Sequence, residues 1–516
     1  MAARSKLPSG PGTAFPFMQL FLLAVVRLAE PIALTSIFPY AWALVKHFNV
    51  GNEQTASFYA GLLISAFSLA EASMGMFWGS LSDRIGRKPV LMMGSLGTTI
   101  SLAIVGFSSN IWMAVFGRAL GGFLNGNIGV IQTMVGEMVT NPAHEPRAYA
   151  VLPFVWTAGT IIGPAIGGSF ANPHHSFPAV FGPDSLFARF PFLLPNLVCA
   201  SLLFLSVVMG YFLLQETHPE IVARSNNNSS SSSSSSSQPG SFEGDVSEET
   251  SLLDGSSANY GLDGSATHYG FDDGAAELSE KADSDEPPQR IFTSRVVSLI
   301  VCLSIFTYHS MTFDHLLPIF LEDARADVAS RVSSISSPLR LLLAPGPGGL
   351  GLTVRSVGMI MAVDGLIALF IQAVIFPLAA EFFGIFRLFL MVVLVHPVAY
   401  VIMPALLFVP QQYIYPAIYT CLTIRDLLSI LLYPLLLILI KDATVSGSTA
   451  LGKVNGLAAS AGAACRMIAP PIAGFLYTWG SSIDCTAVAW YGSVFVACIG
   501  SVQVLWVKRP QAARHM

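Results

Sequence analysis

Long apolar runs alternate with short polar connections along most of this 516-residue chain. A helix needs about 20 apolar residues to cross the hydrocarbon layer of a bilayer. The runs that are roughly this long or longer cover residues 16–44, 56–79, 89–107, 110–138, 147–171, 190–214, 292–320, 354–379, 385–408, 416–440, 452–478 and 484–507. The pattern predicts an all-α integral membrane protein with twelve transmembrane helices.

One stretch, 217–290, has a different composition. It contains nine consecutive serines (Ser229 to Ser237) and then, between Glu243 and Glu286, thirteen acidic residues and one lysine. Such a segment cannot bury enough apolar surface to offset its chain entropy, so it is predicted to be a disordered linker. It divides the chain into two six-helix bundles, 15–216 and 291–508, flanked by short tails at 1–14 and 509–516.

The two bundles resemble each other at positions that occur in the same order in both. The matched pairs are Gly86 with Gly384, Asp83 with Glu381, and Arg118 with Arg425. This order is the pattern expected of two related halves, so we predict pseudo-symmetric six-helix bundles.

Composition and charge are those of a membrane protein. The chain is 53% hydrophobic and only 11% charged, whereas soluble domains carry about 25% charged residues. If the N-terminus is cytosolic, twelve Lys and Arg residues of the short loops and tails lie on that side and six on the other. We therefore expect a multi-pass protein with cytosolic termini and linker, the lipid bilayer as its surroundings and no nucleic-acid partner. The 322–353 connection, with three or four bases on the wrong side, fits this topology least well.

The connection between the second and third runs is short, rich in bases and flanked by glycines. Its residues Gly79, Asp83, Arg84, Gly86, Arg87 and Lys88 follow the order Gly-x-Leu-x-Asp-Arg-x-Gly-Arg-Lys. This resembles the cytoplasmic signature of the major facilitator superfamily. Asp83 is expected to pair with arginines of its own loop or of a neighbouring helix. Such a cluster would latch the cytoplasmic ends of the two halves and would have to break when the transporter opens inward. The alternative is a loop whose bases serve topology alone.

The fifth run carries a stretch of closely spaced glycines: Gly159, Gly163, Pro164, Gly167 and Gly168. Glycines four apart allow another helix to approach closely, and a proline inside a helix can kink it. The stretch resembles the antiporter signature of proton-coupled drug exporters. The match is partial, because Ala150 stands where that signature has a further glycine. A packing helix with no bearing on transport direction is the alternative.

Ionisable residues inside the apolar runs are candidates for proton or substrate binding: Arg27, Glu30, Glu71, Arg118, Asp314, Asp364, Arg425, Asp426 and Arg466. A charge at mid-membrane costs about 2.5–3.5 kcal/mol on insertion scales, so such residues should face a cavity or each other. Arg27 and Glu30 are three apart, share a helix face and can pair. Glu30 and Asp364 are the best proton-site candidates, with structural ion pairing as the alternative. For Arg466 a structural or gating role is favoured over substrate contact.

Arg118 is followed by Gly121, Gly122 and Gly126. This resembles the fourth-helix motif of the same exporters, in which the arginine is linked with proton transfer. An arginine that snorkels to the interface near the start of its helix is the alternative.

The chain as a whole resembles the zinc-induced-facilitator-like branch of twelve-helix drug:proton antiporters, especially fungal members. The resemblance rests on Arg27-Leu-Ala-Glu30-Pro31, Phe77-Trp78-Gly79 and Gln215-Glu216-Thr217, among other segments. It implies a monomeric secondary active transporter that moves a small molecule by alternating access, with export driven by a proton gradient and no bound cofactor. An uncoupled facilitator or uniporter of a small polar solute, and a non-transporting sensor, remain open.

An enzyme is not expected, because the chain has no nucleophile elbow, phosphate loop or His-box. No metal site is expected either, since the adjacent His174 and His175 have no acid cluster near them.

The membrane is predicted to be the plasma membrane or, if Glu248-Glu249-Thr-Ser-Leu252-Leu253 acts as an acidic dileucine signal, a vacuolar or endosomal membrane.

Overall fold

The computed structural model of the chain describes residues 15–50, 55–139, 151–218, 221, 292–325, 348–444 and 448–507. The predictions for both tails, for nearly all of the linker with its dileucine sequence, and for the middle of the 322–353 connection lie outside these residues. Within them, the regular structure is helical apart from one isolated bridge between Arg325 and Gly348.

Every predicted apolar run contains helix. In the first half the helices are α1 (Phe17–Thr35), α2 (Ala41–His47), α3 (Ala56–Ile85), α4 (Arg87–Gly106), α5 (Ile111–Leu124), α6 (Asn127–Met138), α7 (Val151–Phe170) and α8 (Leu193–Leu213). In the second half they are α9 (Ser294–Glu322), α10 (Val354–Phe370), α11 (Phe376–Phe383), α12 (Ile385–Val395), α13 (Pro397–Val401), α14 (Ile414–Ala443), α15 (Ser448–Ser482) and α16 (Ala487–Val504).

Nine helical stretches of the described residues are long and apolar enough to cross a membrane. The other three predicted runs are also helical but do not meet this criterion of length and hydropathy, each for a different reason. The fourth is split into α5 and α6, α7 has a shorter apolar core at Phe154–Phe170, and α15 is rich in alanine, glycine and serine. The all-α membrane fold is therefore confirmed, whereas a single continuous helix over 110–138 is wrong.

Local chemistry fixes several helix ends. Asn110, Thr293 and Thr353 stand at N-caps and accept hydrogen bonds from backbone N–H groups of the first turn, which would otherwise be unpaired. Gly86 and Gly384 separate α3 from α4 and α11 from α12, and their φ angles of 105° and 76° favour glycine. The two matched glycines thus make the same kind of sharp turn in each half. We call the helix ends that meet at these turns the signature ends.

Among the described residues, a hydrophobic cluster shared by the two halves lies at the helix ends opposite the signature ends. There, one cluster joins first-half residues Tyr40 and Ile64 to second-half residues Phe313, Tyr477 and Trp490. Near the signature ends each half has its own cluster: Leu91 and Ile131 belong to the first, and Phe389 and Leu435 to the second. The halves therefore pack together at one end and separately at the other.

Candidate functional site

Arg87 is the centre of a polar cluster at the signature end of the first half. Its guanidinium donates to Asp83 Oδ1 at 2.5 Å, to Ser82 Oγ at 2.7 Å and to Glu137 Oε1 at 3.0 Å. Thr217 donates its hydroxyl to the other oxygen of Glu137 at 2.7 Å. The cluster joins α3, α4 and α6 to the chain that leaves α8.

Glu216 closes this cluster by capping α4. Its carboxylate accepts from the backbone N–H groups of Arg87 at 2.9 Å and Lys88 at 3.0 Å. It also accepts from the N–H groups of Thr217 and His218. Burial disfavours the charged carboxylate, but these N–H groups outweigh burial and lower the pKa of Glu216. A carboxylate at the positive end of a helix is stabilised by the helix dipole as well.

The described contacts of this cluster do not form the predicted latch between the halves, because every partner of Asp83 and Arg87 lies in the first half. Arg87 is fully engaged by its own bundle, while the matched turn at Gly384 has Ile385 and Phe386 in place of the two bases. Arg84 is exposed, and Gly79 faces open space. Sequence reasoning did not assign Glu216 its capping role, although an acid after the sixth run was visible in Gln215-Glu216-Thr217.

Glu216→Gln should lower the free energy of unfolding by about 1 kcal/mol, the usual cost of a lost helix cap. The amide lacks the charge that four N–H groups favour, although it keeps one acceptor oxygen. Because the folded pKa of Glu216 is depressed, its contribution is present above the unfolded pKa and is lost as the pH falls through the folded pKa. Thermal unfolding of the purified protein at pH 7 and pH 4 measures both effects. An equal deficit at the two pH values would contradict the charge argument.

The glycines of α7 line two different helix contacts. Gly159, Gly163 and Gly167 face α1, where the Thr35 hydroxyl lies 2.8 Å from the Pro31 carbonyl oxygen of its own helix and 3.0 Å from that of Gly159. Gly168 faces α10 of the other half: a Cβ on it would lie 2.7 Å from the Cα of Gly358.

Pro164 belongs to the same contact, because a Cβ on Gly358 would lie 2.5 Å from its carbonyl oxygen. The antiporter-like stretch therefore packs α7 on α1 and also forms a seam between the halves.

Glu30 lies in a buried polar cluster of the first half. Arg27 donates to it, so the pairing expected from their spacing is present. Asn125 Nδ2 donates to Glu30 Oε1 at 2.8 Å and Asn127 Nδ2 to Glu30 Oε2 at 3.2 Å. Both carboxylate oxygens of Glu30 thus have hydrogen-bond partners.

The two asparagines reach Glu30 because the helix is interrupted between them. Asn125-Gly126-Asn127 separates α5 from α6, and a Cβ on Gly126 would lie 2.1 Å from the Cβ of Trp78. Sequence reasoning missed both asparagines. An Asn-Gly pair inside an apolar run is a turn signal that could have identified the break.

Arg118 and Glu71 are the other two candidates of the first half. Arg118 is only 5% exposed, and its guanidinium carbon lies 4.8 Å from the centre of the Phe67 ring. Its Nε has no hydrogen-bond partner. The alternative of an arginine snorkelling to the interface does not fit this burial. Glu71 is half-buried with one oxygen unpartnered, and it lies within electrostatic range of the exposed Arg466 of α15.

The second half brings four of its five candidates together from three helices. Arg425 of α14 donates to Asp314 Oδ1 of α9 at 3.0 Å and to Asp426 Oδ1 at 2.9 Å. Its guanidinium carbon lies 4.2 Å from the centre of the Phe313 ring. Asp364 of α10 lies close enough to Arg425 and Asp426 to interact electrostatically with both. We call Asp314, Asp364, Asp426 and Arg425 the aspartate cluster.

A layer of two histidines and a tyrosine lies next to Arg425. The Tyr400 hydroxyl lies 2.7 Å from His309 Nδ1, 3.3 Å from His396 Nε2 and 3.1 Å from the His309 carbonyl oxygen. All three residues are buried. His396 and Tyr400 were not identified from the sequence, because nothing in an apolar run signals which aromatic groups will meet.

Among the described residues, no group of three or more His, Cys, Asp or Glu side chains has an arrangement that could hold a metal ion. His174 Nδ1 contacts the carbonyl oxygen of Phe181 at 3.0 Å.

Comparison with known proteins identifies the family. The model of the Major Facilitator Superfamily matches residues 23–415. The chain is similar to "Major facilitator superfamily multidrug transporter mfsB" of Aspergillus fumigatus, with 38% identity over 525 residues covering 97% of this chain and 85% of the relative. It is also similar to "Protein ZINC INDUCED FACILITATOR 1" of Arabidopsis thaliana, with 26% identity over 481 residues covering 90% of this chain and 85% of the relative.

The fold is similar to that of a bacterial homologue of the human lysosomal transporter Spinster, solved in an inward-facing and occupied conformation. The TM-score is 0.61 with 11% sequence identity, and the match covers 97% of each chain. The resemblance stated from the sequence, including that to zinc-induced facilitators, is confirmed. This multi-pass membrane protein belongs to the Major Facilitator Superfamily of transporters.

Proposed function

We propose that this transporter exports a small molecule by proton-coupled antiport. The observation that carries the proposal is that each half has a buried arginine paired with carboxylates inside membrane-spanning helices: Arg27 with Glu30, and Arg425 with Asp314 and Asp426. Buried ionisable groups are costly in a membrane and mark substrate or proton pathways. A relative of the chain is described as a multidrug transporter, which favours efflux of organic compounds.

Alternating access is supported by the positions of the hydrophobic clusters in the two halves. The halves share one core cluster at the ends opposite the signature turns and have separate clusters at the signature ends. With cytosolic termini, this arrangement is a state open toward the cytosol. The seam where Gly168 meets Gly358 would then open when the transporter faces the other side.

The oligomeric state, energy source, topology and membrane that we propose are those predicted from the sequence. The protein works as a monomer, uses the proton gradient instead of a cofactor, and keeps both termini and the linker in the cytosol. It resides in the plasma membrane or in a vacuolar or endosomal membrane, and binds its small-molecule substrate between the halves.

Flux in proteoliposomes tests the coupling. The purified full-length chain is reconstituted with pyranine inside the vesicles, and ethidium, rhodamine 6G and fluorescein are offered as cationic and anionic probes. We expect uptake of at least one probe to be accelerated by an inside-acidic pH gradient and to be accompanied by loss of internal protons. Empty vesicles and vesicles treated with nigericin, which collapses the gradient, are the controls.

The same experiment separates the alternatives. Flux that is equal with and without the gradient would identify an uncoupled facilitator and overturn the proposed antiport. Saturable binding of probes with no flux in either condition would identify a sensor, with the same consequence.

A further inference from the structure

The helices α3 and α15, one from each half, touch backbone to backbone near the ends opposite the signature ends. A Cβ on Gly474 of α15 would lie 2.2 Å from the Ser57 carbonyl oxygen of α3. A Cβ on Gly61 of α3 would lie 2.3 Å from the Pro470 carbonyl oxygen of α15. A step of four residues forward along α3 thus matches a step of four residues backward along α15. The two helices are therefore antiparallel, and these contacts fix their register.

The next step of this register brings Arg466 of α15 opposite Ser65 of α3. Arg466 precedes Pro470 by one turn, so it lies on the side of α15 that faces α3. Ser65 is buried, but Leu69, one turn further along α3, is exposed, so the helices part there. Arg466 is itself exposed, although it lies in the middle of the 35-residue α15. It therefore faces the cleft that opens between the halves toward the signature ends.

The guanidinium of Arg466 points into this cleft. A Cβ on Gly462, one turn earlier in α15, would lie 3.6 Å from Arg466 Nη1 and 3.9 Å from the Thr307 hydroxyl oxygen of α9. Helical side chains tilt toward the N-terminus of their helix, and the N-terminus of α15 lies on the side of the signature ends. Because Gly462 has no side chain, the guanidinium has room beside Thr307.

Arg466 differs from the other arginines deep inside membrane helices. Arg27 pairs with a buried glutamate, and Arg425 pairs with two carboxylates of the aspartate cluster. Arg118 is buried. Arg466 is exposed and belongs to none of the ion pairs between described residues. A cation in this position, facing a cleft inside the membrane, marks a ligand pathway.

Glu71 of α3 provides the opposite charge from the other half. It follows Ser57 by fourteen residues, close to four full turns, so it lies on the face of α3 that meets α15. It lies about 9 Å further along the helix axis than Ser65, the residue opposite Arg466. Its side chain tilts back toward Arg466, while that of Arg466 tilts toward Glu71, and the two groups interact electrostatically.

One oxygen of Glu71 needs a hydrogen-bond donor. Its Oε1 is buried and has no hydrogen-bond partner among the residues that the structure describes. Buried polar atoms of proteins are almost always hydrogen-bonded. An ammonium group of a ligand would supply the donor.

We propose that the substrate is a zwitterion whose carboxylate pairs with Arg466 and whose ammonium group pairs with Glu71. A guanidinium matches the two oxygens of a carboxylate in a bidentate pair. This inference rests on the proposed transport and adds the charge class of the substrate and the residue that binds it in each half. It assigns Arg466 a contact with substrate, which the sequence had not favoured.

A ligand with both charges bridges the two halves. Arg466 and Glu71 belong to opposite walls of the cleft, so a molecule that binds both connects the walls on the signature side of the α3–α15 contact. Charge pairs strengthen as water leaves a site, so the bridged complex favours closure of the cleft. A molecule with one charge leaves an ionisable group of the other wall without its partner.

Three dansyl compounds that differ only in their charged groups test the inference. Nε-dansyl-lysine has an ammonium and a carboxylate, dansylcadaverine lacks the carboxylate, and 6-(dansylamino)hexanoate lacks the ammonium group. Each is titrated by calorimetry at pH 7 into the purified full-length chain in detergent, with protein-free micelles as the blank. We expect dansyl-lysine to bind roughly tenfold or more tightly than either analogue, because hydrogen bonds between charged groups are strong.

Two substitutions should change these affinities in a crossed pattern. Arg466→Gln should weaken dansyl-lysine roughly tenfold, to the level of dansylcadaverine, and leave dansylcadaverine unchanged. Glu71→Gln should weaken dansyl-lysine to the level of 6-(dansylamino)hexanoate and leave that anion unchanged. Arg466→Lys keeps a cation and should restore part of the preference for dansyl-lysine. A merely structural role of either residue would weaken all three compounds alike.

Arg387→Gln and Glu381→Gln are the matched controls, since both residues are exposed and lie at the signature end of the second half. They should bind all three compounds as the wild type does. Thermal unfolding and gel filtration establish that each variant is folded, and either Arg466→Gln or Glu71→Gln suffices for the test.

The inference is overturned if dansyl-lysine does not bind, if it binds no more tightly than either analogue, or if each variant weakens all three compounds alike. Proteoliposome flux distinguishes this result from failure of the proposed function. Gradient-driven flux of ethidium, rhodamine 6G or fluorescein by a protein with no preference for the zwitterion leaves antiport intact and removes the zwitterion site. A preference for the zwitterion without gradient-driven flux leaves the site intact and overturns antiport.

Discussion

Arg27→Met should destabilise the protein by about 3–5 kcal/mol, the usual cost of removing one member of a buried ion pair. Arg27 and Glu30 are both buried, and the methionine would leave the Glu30 carboxylate with only the amides of Asn125 and Asn127. The free energy of unfolding, measured by denaturation in mixed detergent micelles, should show the loss directly. Expression in the membrane should fall as well.

The double variant Arg27→Met with Glu30→Gln is the control for this prediction. Glutamine keeps an acceptor oxygen for the asparagines and removes the unpaired charge, so the double variant should recover most of the lost stability. A double-mutant cycle measures the interaction energy between Arg27 and Glu30. If the double variant is as unstable as the sum of the two single variants, the ion pair is not the source of the effect.

The sequence predicted features that depend on short stretches of chain. The apolar runs marked every membrane helix because length and hydropathy are local properties. Gly86 and Gly384 were correctly matched as turns. Each turn has a positive φ angle, which favours glycine, so the same residue type marks it in both halves. The contact of Arg27 with Glu30 followed from helical spacing alone.

Features that depend on tertiary contacts were not predicted. The interruption at Asn125-Gly126-Asn127 is stabilised by Glu30, which is 95 residues away from Asn125. The pairing of Arg87 with Asp83 follows from the loop, but the second acidic partner of Arg87, Glu137, comes from α6, 50 residues away along the chain. The proximity of Asp364 to Arg425 and Asp426 requires two helices, α10 and α14, to meet in a register that no single run specifies. Chemistry-bearing residues were thus identified more readily than their partners.

Gly168→Ala should cut transport strongly while leaving the protein folded. In this state a Cβ at that position would lie 2.7 Å from the Gly358 Cα and 2.7 Å from the Val354 carbonyl oxygen, both of them backbone atoms of the other half. Backbone cannot rotate out of the way as a side chain can, so α7 and α10 must separate. Overpacking of this kind costs about 1–3 kcal/mol, which corresponds to a shift of roughly 5- to 150-fold in the population of two states.

The shift should be visible as a change of distance at the signature ends. Spin labels on cysteines introduced at Arg84 and Phe382, both exposed, report the separation of the two halves there in a variant that lacks the native cysteines. Since the seam at Gly168 holds the halves together at the opposite ends, weakening it should favour the state in which the signature ends approach. The distance distribution in Gly168→Ala should therefore move to shorter values.

Two further substitutions separate a seam effect from a general effect of adding a methyl group. Gly75→Ala adds the same group to α3 where no atom lies within 4 Å, so flux and distance should be unchanged. Gly358→Ala places a Cβ 2.5 Å from the Pro164 carbonyl oxygen on the facing helix, and should reproduce the Gly168→Ala result. If both seam variants keep wild-type distances and flux, this contact does not control the exchange between states. If only the seam variants shift, the antiporter-like stretch of α7 acts through its packing on α10, because neither substitution alters a charge or a hydrogen-bonding group.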